Sequence, residues 1–101
     1  MKTVNDYTAK EQYTITRGQS TKPMREAVGQ TLTIVGYIFD DVAGILYLDC
    51  GNGLVYATNS PTFGNEFSYI ASITGDMSQI DLLVIEGVSK NNRHYITCEW
   101  V

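Results

Sequence analysis

Between residues 26 and 89 the chain has no lysine or arginine, although eight of its eleven acids lie there. An anionic ligand would therefore have to meet cations from the two ends: Lys2, Lys10, Arg17, Lys22 and Arg25 at the start, Lys90 and Arg93 near the finish. Histidine occurs once, at His94, which excludes the two-histidine zinc helix and leaves an imidazole beside a turn that reads as solvated. The two cysteines, Cys50 and Cys98, are far apart and make no Cys-x-x-Cys pair. They read as small buried hydrophobes in a cytoplasmic, reduced protein. No apolar run is long enough to span a bilayer and no signal-peptide pattern opens the chain, so no membrane partner is expected.

Catalytic patterns are missing as well. There is no nucleophile elbow, no Walker-type phosphate loop, and neither cysteine has a histidine nearby in sequence. Asp40 and Asp41 are adjacent acids, but the further oxygen ligands a hard cation needs are not in view, and the pair reads as a solvated turn. Gly51-Asn52-Gly53 is too short to cradle a phosphate and reads as a hairpin turn. No enzyme activity, metal or cofactor is expected.

What the sequence does contain is strand-forming material. A chain of 101 residues, 44% of them apolar, forms one core without staples. Residues 1–28 read as an N-terminal arm with a short helical turn, and residues 29–101 as the main domain. In the arm, residues 1–12 are polar and expected to be loosely held, Tyr13–Thr16 alternates like a short strand, Arg17–Lys22 reads as a loop, and Pro23–Val28 as a helical turn. Three strand runs follow, over Thr31–Phe39, Ile45–Cys50 and Leu54–Thr58. Gly36, inside the first, predicts a bend or a close approach by other backbone. Ser60 as cap and Pro61 at the first position start a helix whose stripe is Phe63, Phe67, Ile70 and Ile73 or Thr74. Two more strands occupy Asp81–Val88 and His94–Val101, joined by the polar turn Ser89–Arg93.

This order, three strands, one helix and two strands, predicts a mainly β domain with one helix, a five-stranded barrel of the oligonucleotide/oligosaccharide-binding (OB) type. A lone carboxylate is costly to bury, so Asp49 is phased outward, and Tyr47 with it. The same alternation sends Tyr56 and Thr58 outward, Trp100 inward and Tyr95 outward. Tyr47 and Tyr56 then form an exposed platform on neighbouring strands, suited to stacking bases or covering adjacent apolar surface.

Several runs resemble small proteins encoded by phages and mobile elements of Gram-positive bacteria. They are Gly29–Tyr37, Gly51–Thr58, Asn59–Phe67 and Ser89–Cys98. Some of these proteins are OB-fold proteins that coat single-stranded DNA during replication. The resemblance, over residues 29–100, implies non-catalytic binding with little sequence preference, and self-association. Its contacts fall on Tyr47, Tyr56, Lys90, Arg93 and Tyr95, and the charge distribution adds Arg17, Lys22 and Arg25 as phosphate partners. Trp100 beside the last residue implies a pinned end in place of the acidic tail that many such proteins carry. The acid-rich middle supports the alternative, an accessory or inhibitor protein that engages a host replication or defence protein by resembling DNA charge.

Overall fold

The computed structural model describes residues 1–18 and 20–101. Val4–Asp6 forms a 3-10 turn, α1 spans Ala9–Arg17, β1 Thr21–Pro23, and a second 3-10 turn Met24–Ala27. Then follow β2 (Thr31–Ile34), β3 (Gly36–Asp40), β4 (Ile45–Asp49), β5 (Val55–Thr58), α2 (Pro61–Thr74), β6 (Ile80–Val88) and β7 (His94–Trp100). Among the described residues the fold is mainly β, with two helices and seven strands in place of the expected one helix and five strands. Neither helix is long and apolar enough to cross a membrane, among the described residues.

The strands form two sheets, β1-β5-β4-β3 and β2-β6-β7. All pairs are antiparallel except β1 with β5. Only Val35 separates β2 from β3, so one run of chain serves both sheets: its first half pairs with β6 and its second with β4. The bend expected at Gly36 falls here. A Cβ on Gly36 would overlap the Tyr7 hydroxyl and lie 2.9 Å from Lys2 Cβ, so the glycine also admits the N-terminal segment. Lys2 pairs there like a strand residue, its N–H donating to Val35 O (2.9 Å) and its carbonyl accepting from Tyr37 N (3.0 Å).

The main core lies between the sheets and is closed by α2. Phe63, Phe67 and Ile70 of the helix pack with Leu48, Leu82, Val84 and Ile34, all buried. Ser60 caps the helix as expected, accepting from Phe63 N at 3.3 Å. Its hydroxyl also donates to Ile96 O (3.1 Å), tying the start of α2 to β7. Trp100, expected inside, is 44% exposed, since the core beneath β7 ends at Cys98; the chain end is held instead by Val101 N donating to Asp81 O (3.1 Å).

The first 17 residues differ most from expectation. They are not a loose arm, and Tyr13–Thr16 is helix, not strand. Thr8 and Glu11 form a reciprocal capping box: Glu11 N donates to Thr8 Oγ1 (3.1 Å) and Thr8 N to Glu11 Oε1 (2.8 Å). The Thr8 backbone N–H, and after it the Thr8 hydroxyl, hold the Glu11 carboxyl below its ordinary pKa. Gln12 Nε2 donates to the carbonyls of Val4 (3.0 Å) and Tyr7 (3.1 Å), folding the turn back on the helix. Gln19, within the expected loop, lies outside the described residues; at the loop's expected ends Arg17 belongs to α1, and Thr21 and Lys22 to β1.

Candidate functional site

The tyrosine platform does not exist. Tyr47 and Tyr56 are 7% and 6% exposed, and they point to opposite faces of the sheet. Tyr47 sits opposite Ala57, and Tyr56 opposite Leu48, so β5 is shifted by one residue from the expected phase. The turn sets that shift: Cys50 N donates to Leu54 O (2.8 Å), and Gly51, Asn52 and Gly53 all adopt positive φ (82°, 54° and 79°), which pairs Asp49 with Val55. Tyr56 thereby enters the main core.

Tyr47 does face away from that core, with Asp49, but the N-terminal segment covers it. Tyr7, Ile15, Ile38, Tyr47 and Val55 make a second buried cluster. Tyr47 Oη donates to Thr16 O at 3.1 Å, and Tyr7 Oη to Asp49 Oδ2 at 2.8 Å, while Gly51 N donates to Asp49 Oδ1 at 2.8 Å. Burial, and then the Asp49 carboxylate, push the Tyr7 phenol well above its ordinary pKa. The half-buried carboxylate is thus satisfied by two donors, the condition for burying it at all. The outer face of β3-β4-β5, where bases were expected to stack, is an internal packing surface.

The cations assemble elsewhere. A groove of 620 Å³ runs between β1 with its following 3-10 turn, the β5–α2 junction and the start of β7. Lys22 and Arg25 line one wall and His94 and Tyr95 the other, with no Asp or Glu among the lining residues. β1 places Lys22 by pairing in parallel with β5, Lys22 opposite Tyr56, and buried Met24 anchors the turn that carries Arg25. The β6-β7 hairpin supplies the opposite wall, because beyond core residue Ile96 it continues through the pairs Gly87–Tyr95 and Val88–His94. Tyr95 is half-buried, its ring lying over Gly87, where any Cβ would overlap it.

Arg25 is not free of acid altogether: its Nη1 meets Glu86 Oε2 at 2.9 Å, and His94 Nδ1 lies 3.5 Å from Glu86 Oε1. Both partners of the Arg25 pair are substantially exposed (60% and 39%), so the pair is solvent-screened and open to competition by another anion. Lys90 and Arg93 stand exposed on the hairpin turn directly before His94, and Arg17 is exposed in the last turn of α1. Of the eight residues expected to bind, the groove collects Lys22, Arg25 and Tyr95. Lys90 and Arg93 occupy the adjoining turn, Arg17 belongs to a different element, and Tyr47 and Tyr56 are internal. His94 was read as merely solvated; its position in the groove follows from the hairpin register, for which the sequence carries no local signal.

Asp40 and Asp41 behave as a turn. Asp40 Oδ1 accepts from the N–H groups of Val42 and Ala43, each at 3.1 Å. Comparison with protein-family models, curated proteins and solved structures finds no match.

Proposed function

We propose that this protein is a non-catalytic binder of single-stranded DNA, with the phosphate backbone lying in the groove between Lys22–Arg25 and His94–Tyr95. One observation carries the reading: in a chain of net charge -4, the groove sets Lys22 and Arg25 across from His94 and Tyr95 with no carboxylate among its lining residues, Glu86 meeting Arg25 from outside them. Lys90 and Arg93 extend the cationic track along the hairpin turn. Phosphate contacts dominate such binding and need no particular sequence. We further infer that the two sheets are halves of an OB-like barrel. The shared β2/β3 run, the order of three strands, helix and two strands after residue 29, and the Ser60–Ile96 bond across the seam support it. In this reading the usual stacking face is occupied by α1, and the ligand uses the seam between β5 and β7 instead.

Fluorescence anisotropy with labelled oligothymidine tests the proposal. With Lys22, Arg25, Lys90 and Arg93 neutralising four phosphates, the slope of log K against log salt is about -2.8, and affinity falls about fifty-fold from 50 to 200 mM salt. Lys22→Ala with Arg25→Ala lowers the slope by about 1.4. Absence of binding by folded protein at both salts, or an unchanged slope in the double variant, overturns it. The exposure of Asp41, Glu66, Asp76, Asp81 and Glu99 favours a second reading, an acidic surface for a protein partner, to which a negative result would point.

A further inference from the structure

A second groove, of 670 Å³, opens between one face of α2, from Pro61 to Ser72, and the β3-β4 pair. Thr58, Asn59, Ser60 and Pro61 border both grooves, so the two adjoin at the β5–α2 junction. Their chemistry differs sharply. No charged side chain lines the second groove; its walls include Tyr37, Phe39, Leu46 and Phe67, with Asn59 and Asn65 as polar members. Tyr37 meets Phe67 edge-on, centroids 5.1 Å apart, while Phe39 stands 58% exposed, unusual for a phenylalanine on a strand.

Gly64 also lines this groove. Glycine inside a helix is destabilising relative to alanine, and a Cβ at Gly64 would meet nothing within 4 Å. No packing neighbour requires the glycine. Its effect is to keep the groove wide beside the exposed Phe39.

We propose that the second groove receives a base of single-stranded DNA whose phosphates lie in the cationic groove; the inference rests on the function proposed above. A nucleotide carries an anion at one end and an uncharged flat ring at the other, and the two adjoining grooves offer a cationic floor and a neutral aromatic wall in the same arrangement. Phe39 provides a face on which any base stacks, and the Asn59 and Asn65 amides provide donors and acceptors for base edges.

The test compares labelled octathymidine with an abasic octamer of the same charge, binding to the full chain and to two variants. Gly64→Leu fills the groove from a position with open space, and Phe39→Ala removes the exposed ring; circular dichroism checks that each folds. Wild-type protein is expected to bind octathymidine at least tenfold tighter than the abasic octamer. Both variants are expected to lose that preference while retaining abasic binding. Equal binding of the two octamers by wild-type protein, or variants that keep the preference, overturns the base site and leaves the phosphate groove standing. Wild-type protein that binds neither octamer overturns both proposals.

Discussion

The seating of Tyr7 against Gly36 gives a double-mutant cycle whose sign follows from geometry. Tyr7 is 6% exposed and its hydroxyl donates to Asp49 at 2.8 Å. Tyr7→Phe removes a hydrogen bond to a carboxylate, worth about 1.5–3 kcal/mol, and the low end applies because Gly51 N still serves Asp49. Gly36→Ala inserts a methyl that overlaps the same hydroxyl and lies 3.0 Å from Tyr7 Cζ and 2.9 Å from Lys2 Cβ. Overpacking of this kind costs about 1–3 kcal/mol. In the double variant the worst overlap is gone and only the two milder contacts remain. Its destabilisation should therefore fall short of the sum of the single effects by about 1 kcal/mol, beyond the roughly 0.3–0.5 kcal/mol scatter of independent sites. Urea denaturation of the four proteins, followed by circular dichroism with the slopes compared, measures the coupling. Additive effects would refute the claim that the N-terminal segment is locked onto the sheet at this point.

Other expectations follow from burial. Phe67→Ala, at 2% exposure and against Tyr37, is expected to lose about 3–5 kcal/mol in chemical denaturation. Burial pushes the Cys50 thiol up to about 11 and the Cys98 thiol up to about 12 from an ordinary 9.0, and Tyr7 is raised as well. Each favours the neutral form in the folded state, so their contribution is whole below about pH 9 and is lost as pH rises toward 12. Thermal melts across that range should show falling stability, and at pH 8 a thiol-alkylating reagent should react far more slowly with native than with urea-unfolded protein. A native rate equal to the unfolded rate would show both sulfurs to be accessible.

The elements that were legible in the sequence are those specified by neighbours in the chain. Ser60-Pro61 starts α2 and the Phe63/Phe67/Ile70 stripe buries it, both as expected. The Thr8-x-x-Glu11 capping signal was equally present, yet the alternation of Tyr13–Thr16 pointed to a strand; the helix prevails because its capped turn lets Ile15 reach Tyr7 and Tyr47 together. The site was read less well. Charge segregation singled out Lys22 and Arg25, which line the first groove, but the two tyrosines meant to accompany them are buried on opposite sides of β4-β5.

Charge placement, helix starts and the glycine turns are local properties, written in residues a few positions apart, and they survive whatever the chain packs against. Which face of a strand meets water is not local. The turn at 50–54 pairs Asp49 with Val55 and so sends Tyr56 inward, and a helix arriving from residues 9–17 converts an open sheet face into core. The covering of Tyr47 depends on contacts between parts of the chain distant in sequence, so which sheet faces stay open was decided only once those parts were assembled.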